Sequence, residues 1–106
     1  MTNDAEHDEI VILLVSDAAL TMVSEMRANE VDYESLALWI EVTGSSGNAY
    51  TYDMYFQSLA DALPADWTDV RGALSVVVPA ASVDKLRGSL LDVTSGENGP
   101  GMTIAN

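Results

Sequence analysis

The stretch that decides the fold runs from residue 36 to residue 57 and reads Leu36-Ala37-Leu38-Trp39-Ile40-Glu41-Val42-Thr43, then Gly44-Ser45-Ser46-Gly47-Asn48, then Ala49-Tyr50-Thr51-Tyr52-Asp53-Met54-Tyr55-Phe56-Gln57. Its first and last parts each carry large apolar residues at every second position. A period of two is typical of a β-strand that buries one face. The glycine-bracketed segment between them favours a tight reversal. The stretch therefore predicts a β-hairpin.

The apolar faces of the two strands also predict how the strands pair. With the reversal centred on Ser46, four pairs bring the apolar sets together: Leu36 with Phe56, Leu38 with Met54, Ile40 with Tyr52, and Val42 with Tyr50. A slip of one residue would turn one of these sets to the opposite face. The agreement of the two faces supports this register.

The other face of the hairpin carries the candidate partner-binding residues. The same register sets Trp39 opposite Asp53 and Tyr55 opposite Ala37, so the two large aromatic residues become diagonal neighbours. Buried, they would be core residues. Exposed, they would form a small apolar patch that Glu41 and Asp53 rim. We hypothesise that Trp39 and Tyr55 anchor a partner with basic residues, and that the acidic rim speeds its encounter.

The flanking segments predict the remaining elements. They are a strand over residues 10–15 that is covered on both faces, a helix over 17–29 that Ser16 caps, a loop with a short helical turn over 58–69, a strand over 74–78, a helix over 80–87 that Gly88 ends, and two short strands over 90–93 and 102–104. The first helix has an apolar stripe of Ala19, Met22, Val23 and Met26. This order predicts an α+β fold that is mainly β.

Length and charge limit the classes of protein that fit. The chain has 106 residues, of which 48% are apolar, enough for one domain. Residues 1–9 hold four acidic side chains and are predicted to be a disordered acidic tail. Asp and Glu number 17 against four Lys and Arg, a net charge of -13, so we expect no nucleic-acid or membrane partner. The N-terminus resembles no secretory signal, which predicts a cytoplasmic protein.

The residue types that carry most catalytic chemistry are scarce. The sequence has no cysteine, and its one histidine, His7, falls in the predicted tail. A Ser-His nucleophile, a zinc site and thiolate ligands are therefore not expected. Residues 44–47 are too short for a phosphate-binding glycine loop. We expect a protein that is not an enzyme and has no cofactor or metal, although paired carboxylates in a cleft would leave an enzyme as a third possibility.

The order of the elements and four short motifs resemble the HesB/IscA-like A-type domain of iron-sulfur cluster assembly, over residues 10–106. The turn Gly44-Ser45-Ser46-Gly47 before Tyr50 matches the Gly-Cys-Ser-Gly turn of that family. Residues 73–87 match its apolar strand and short helix, 90–93 its leucine and aspartate stretch, and 100–106 the lead-in to its Cys-x-Cys tail. The resemblance implies twisted mixed sheets, as a pseudobarrel or sandwich, with two helices.

Three departures from the family concern its cluster ligands. Ser45 stands at the first family cysteine, and the sequence ends at Asn106 without the Cys-x-Cys pair. A serine hydroxyl keeps its proton and is a poor iron ligand. The chain thus resembles the degenerate, cysteine-free A-type domain at the N-terminus of NfuA-like carriers. There, a following NifU-like domain holds the cluster on a Cys-x-x-Cys pair, and we expect that the natural chain could continue in this way.

The resemblance implies a non-catalytic domain that docks apo iron-sulfur client proteins or a cluster-carrier domain and cannot ligate a cluster itself. The alternative is a stand-alone acidic adaptor or oligomerisation module of the same fold, unrelated to iron. A reading frame that continues into a Cys-x-x-Cys domain would favour the first, and a stop after Asn106 the second. The residues themselves do not distinguish the two functions.

Overall fold

The computed structural model describes residues 12–47, 49–96 and 99–105. The predicted acidic tail lies outside the described residues, as do the first two residues of the predicted strand 10–15. In the described part of the chain the elements are β1 (Leu13–Val15), α1 (Asp17–Ala28), β2 (Leu36–Ser46), β3 (Ala49–Ser58), β4 (Trp67–Arg71), β5 (Leu74–Val78), α2 (Ala80–Leu86), β6 (Ser89–Gly96) and β7 (Gly99–Ala105). Short 3-10 turns occupy Tyr33–Ser35 and Leu59–Asp61.

The strands form two mixed sheets. One has the order β1-β6-β7, with β1 parallel to β6, and the other has the order β3-β2-β5-β4, with β2 parallel to β5. The main core lies between the sheets and α1, and its fully buried members include Leu13, Val23, Leu38, Ile40, Leu74, Val76, Leu86 and Leu91. Mixed sheets with two helices confirm the predicted α+β, mainly β, fold class.

Helix α1 begins as predicted, because the Ser16 Oγ accepts a hydrogen bond from the Ala19 amide at 3.1 Å. The same hydroxyl donates to the Asp92 Oδ1 at 2.6 Å, a contact between distant parts of the chain that the sequence does not reveal. This bond, together with one from the Val93 amide, lowers the pKa of Asp92. The cap of α1 therefore also ties the helix to β6.

The predicted apolar stripe of α1 is correct in its first turns and wrong at its end. Ala19 and Val23 are buried, whereas Met26 is 46% exposed. In the last turn the neighbouring Arg27 takes the inward position and donates to the Leu36 and Ala73 carbonyl oxygens at 3.3 and 3.2 Å. The guanidinium satisfies backbone acceptors there, and Met26 is turned outward.

Two other strand predictions need correction. The sequence predicts a strand covered on both faces, but Leu14 of β1 is 53% exposed, because the described residues do not cover the outer face of β1. The predicted loop over 58–69 contains the helical turn but also the start of β4, which pairs antiparallel with β5. The side chains of β4 alternate, with Trp67, Asp69 and Arg71 on the more buried side. Asp69 and Arg71 form an ion pair at 2.8 Å, and their charges hide the apolar alternation by which a strand is recognised in the sequence.

The C-terminal half follows the prediction closely. Strand β5 has the predicted bounds, and Pro79 immediately precedes α2. Gly88 follows the helix with φ +83°, a conformation that favours glycine, and its amide donates to the Ile12 carbonyl oxygen at 2.9 Å. Strands β6 and β7 pair antiparallel and are longer than predicted.

Candidate functional site

Strands β2 and β3 form the predicted hairpin in a different register. Leu38 lies opposite Phe56 and Ile40 opposite Met54, a shift of two residues from the predicted pairs. Because the shift is an even number, the apolar side chains stay on the same face. Six of them pack in the main core, Leu38, Ile40, Val42, Tyr52, Met54 and Phe56, whereas Tyr50 is 40% exposed. The faces of the hairpin were therefore predicted correctly and its cross-strand pairs were not.

The turn and a bulge explain this shift. Ser46 lies opposite Ala49, so the chain reverses later than at Ser46, and Gly47 has φ +62°, which a reversal of this kind requires. The register also changes between Val42 and Gly44, where β2 contributes one extra residue. Neither the late turn nor the bulge is specified by the apolar alternation.

The true register brings all four candidate residues together in new pairs. Trp39 lies opposite Tyr55 and Glu41 opposite Asp53, so the predicted pairing of Trp39 with Asp53 is wrong. The two aromatic rings stack with centroids 6.2 Å apart and an angle of 18° between their planes. The Tyr55 hydroxyl donates to the Glu41 Oε1 at 2.8 Å. An aromatic pair and an acidic pair thus stand side by side on this face.

Trp39 is a core residue of this face and not an exposed anchor, since its exposed fraction is 5%. It packs in a second, smaller cluster with Ala37, Val77, Tyr55 and Ala62, and its indole Nε1 donates to a backbone carbonyl oxygen at 3.1 Å. Strands β3 and β4 are the opposite edges of their sheet, so the connection between them crosses β2 and β5 and brings Ala62 over the cluster.

The remaining candidate residues are more accessible. Tyr55 and Glu41 are half-buried, and Asp53 is exposed. Their role in binding a partner stays a prediction. If a partner binds this face, its contacts fall on the Tyr55 hydroxyl and the two carboxylates, because the Trp39 indole is already covered.

The environment of Tyr55 keeps its hydroxyl protonated. Burial raises the pKa of Tyr55, and the hydrogen bond to Glu41 and the negative charges of Glu41 and Asp53 raise it further, to about 12. A phenolate at this position would lose its bond to Glu41 and face two carboxylates. Tyr55 is thus held as a hydrogen-bond donor over the physiological pH range.

We expect alkaline pH to remove the contribution of Tyr55 to stability. Because its pKa in the folded protein lies above the ordinary value of 10.0, this contribution is complete below pH 10 and is lost as pH rises towards about 12. Urea unfolding of the wild type and of Tyr55→Phe, measured at a series of alkaline pH values, should give a stability difference that is constant below pH 10 and shrinks above it. A difference that does not change with pH would contradict this account.

Ser45, which the sequence resemblance aligns with the first cysteine of the Gly-Cys-Ser-Gly turn, lines a pocket at the far end of β2. The pocket has a volume of about 260 Å³ and is lined by Val42, Thr43, Gly44, Ser45, Tyr50 and Lys85. Helix α2 forms its far wall, and the Ser82 Oγ holds the helix there by accepting from the Val42 amide at 2.9 Å. The pocket therefore joins the hairpin to α2.

The chemistry of this pocket is that of hydroxyls and one ammonium group. Thr43, Ser45 and Tyr50 supply the hydroxyls, and Lys85 supplies the positive charge. Among its lining residues there is no thiol or imidazole, the groups that hold most iron-sulfur clusters, and no carboxylate. In the part of the chain that the structure describes, no three His, Cys, Asp or Glu residues lie together as metal ligands. The sequence does not show that Lys85 lies near Ser45, because the two residues are 40 positions apart in the chain.

Comparison with solved structures finds proteins with a similar fold, whereas the sequence matches no protein-family profile and no curated protein sequence. A crystal structure of IscA with the [2Fe-2S] cluster is similar, with a TM-score of 0.71 at 19% identity, over 89% of this chain and 84% of that chain. SufA of Escherichia coli, involved in the biosynthesis of iron-sulfur clusters, is similar with a TM-score of 0.72 at 15% identity, over 89% and 79%.

A third similar structure is a solution structure of a protein from Aquifex aeolicus. Its TM-score is 0.68 at 25% identity, and the match covers 100% of this chain and 99% of that chain. The chain therefore has the fold of IscA and SufA, as the resemblance in the sequence predicted. Within the described residues, neither helix is long and apolar enough to span a bilayer.

Proposed function

We propose that this chain is a non-catalytic docking domain of an iron-sulfur cluster assembly or carrier protein, and that it does not itself ligate a cluster. The observation that carries the proposal is a fold like that of IscA on a sequence without cysteine. Where the family motif has its first cysteine, this chain has the exposed hydroxyl of Ser45. Because a hydroxyl stands where the family motif has a thiolate, we propose that this domain acts through contacts that its surface makes with other proteins.

The charge distribution supports recognition of proteins. A net charge of -13 disfavours anionic ligands such as nucleic acids and attracts basic surfaces. On the hairpin, Glu41 and Asp53 add two adjacent carboxylates beside Tyr55. These features suit an apo client or a carrier domain with a basic surface. We propose that such a domain works in the cytoplasm.

The first test concerns the cluster. Anaerobic incubation of the protein with ferrous iron and sulfide, followed by desalting, should leave a colourless protein, because iron-sulfur clusters are held mainly by thiolates. A cysteine-ligated IscA-type protein treated in parallel controls for the reconstitution. Iron and sulfide retained by this chain, with charge-transfer absorption, would contradict the proposal.

The second test concerns docking. The tagged protein is used to capture proteins from iron-depleted and iron-replete cells of its own source, and the captured proteins are identified by mass spectrometry. We expect proteins with cysteine motifs for clusters to be enriched, and more strongly after iron depletion, when their apo forms accumulate. Capture that shows no such enrichment, or capture of the chain by itself alone, would favour the adaptor or oligomerisation module.

A further inference from the structure

Strand β3 is a long edge strand. It has ten residues, Ala49–Ser58, and forms one edge of the four-stranded sheet. It pairs with β2 on its inner side. No other strand of the described residues pairs with it. The backbone groups on its outer side therefore form an open row of hydrogen-bond donors and acceptors. Such a row can accept one more strand.

Apart from the charge of Asp53, strand β3 lacks the devices that usually keep edge strands apart. Proteins protect edges with lysine, proline, bulges or short strands. Residues 49–58 contain no lysine, arginine or proline. The other edge of the same sheet, β4, has only five residues and carries the Asp69–Arg71 ion pair. Edge β3 is thus the longer and less protected of the two.

We propose that the outer edge of β3 binds an extended, basic segment of a partner protein as an added β-strand. The proposal rests on the docking function proposed above and names the surface and the chemistry of the partner. Backbone hydrogen bonds would supply affinity, and side chains at alternate positions would supply specificity. In the partner segment, apolar residues face the core side, and the residues between them include a basic one beside Asp53.

The side chains of β3 dictate this alternation. On the outer face of the sheet, Asp53 lies opposite Glu41 and is exposed. A lysine or arginine at the neighbouring position of an added strand would pair favourably with Asp53. On the core face, Met54 and Phe56 are half-buried at the sheet edge and pack against the main core. Apolar residues of an added strand would extend that core. A basic residue beside Asp53 on the outer face and apolar residues on the core face therefore match β3. Its other outer-face residues are uncharged, and they are Thr51, Tyr55 and Gln57.

Within the described residues, neither Glu41 nor Asp53 forms a salt bridge with an arginine or lysine. Arg27 donates to backbone carbonyl oxygens, and Arg71 and Arg87 are paired with Asp69 and Asp84. Lys85 lines the pocket that also includes Tyr50, and Asp53 is not among the residues that line this pocket. The acidic edge is therefore open to cations of a partner.

A second copy of this chain fits the edge less well. Antiparallel pairing of two complete β3 strands would place their Asp53 carboxylates opposite each other or diagonally adjacent, which is destabilising. Each copy also carries a net charge of -13, so the two molecules repel each other. Charge complementarity thus selects a basic segment of another protein.

A synthetic peptide tests the proposal on the full chain. The probe is a ten-residue peptide of alternating lysine and valine, acetylated and amidated at its ends, and the readout is amide hydrogen exchange by NMR. At a peptide concentration near ten times its Kd, every second amide of β3 should exchange roughly tenfold more slowly. Protection of β4 or β7 instead of β3, or of no strand, would overturn the proposal.

Two matched pairs of controls separate strand addition from charge attraction. N-methylation of the lysines removes the amide donors on one edge of the peptide, and N-methylation of the valines removes them on the other, so one of the two peptides should lose binding and the other should keep it. Asp53→Lys should weaken binding about tenfold, whereas Glu25→Lys, an exposed site on α1 with the same change in charge, should have little effect. Strand addition would be contradicted if the two N-methylated peptides bound equally well, or if Asp53→Lys and Glu25→Lys weakened binding equally.

The outcome also distinguishes this proposal from the docking function. If the peptide leaves β3 unprotected while the protein still captures cluster-binding proteins, the docking function stands and its surface lies elsewhere. If both experiments fail, the docking function is wrong as well.

Discussion

Replacing Trp39 with alanine should destabilise the domain by about 3–5 kcal/mol, as truncation of a buried tryptophan usually does. The indole is nearly buried, stacks on Tyr55 and donates a hydrogen bond to the Gln57 carbonyl oxygen. Its loss would leave a cavity under the connection between β3 and β4 and an acceptor without a donor. Since domains of this size are stable by about 5–15 kcal/mol, a large part of the folded stability depends on this side chain.

Urea unfolding of three proteins checks this prediction. Trp39→Phe keeps an aromatic ring beside Tyr55 and removes the indole donor and part of the volume, so it should cost less than the alanine substitution, about 1–2 kcal/mol. Asp53→Ala, at an exposed residue of the same face, should change stability by less than about 0.5 kcal/mol. A Trp39→Ala protein as stable as the wild type would show that the indole is not part of a core.

The sequence predicts most of this fold because the apolar alternation of β2 and β3 is strong and each α-helix has clear end signals. It does not predict the cross-strand pairs, since a shift of two residues leaves every apolar side chain on the same face. It does not predict the burial of Trp39 either. Ala62 contributes to that burial, and it comes from the connection between β3 and β4, which are at opposite edges of the sheet.

The candidate sites, like the fold, have some features that the sequence predicts and others that it does not. The absence of thiols and the position of Ser45 can be read from the sequence, and the resemblance to the family indicates why they matter. The pocket that Ser45 shares with Lys85 depends on how α2 packs against β2, a long-range contact that no local pattern encodes. The open edge of β3 depends on strand order, which becomes visible only in the assembled sheet.

Replacing Leu86 with alanine is expected to cost about 2–5 kcal/mol and to loosen α2. With seven residues, α2 is too short to be stable by itself, so its tertiary contacts must hold it. Two buried residues on one face do so: Leu86, which is fully buried in the main core, and Ser82, whose hydroxyl accepts from the Val42 amide. Without the leucine side chain, the hydroxyl should lose its fixed position.

The exchange of the Val42 amide proton reports this loosening separately from global unfolding. In Leu86→Ala the amide should exchange faster than the loss of global stability accounts for, because its acceptor sits on the helix that has been released. Leu86→Met, which nearly preserves volume, should cost less than about 1.5 kcal/mol and leave the exchange of Val42 close to that of the wild type. Lys85→Ala, at the exposed neighbouring position, should change neither quantity. If Val42 exchange followed global stability alone in all three variants, α2 would unfold only with the whole domain, and the pocket beside Ser45 would be as rigid as the core.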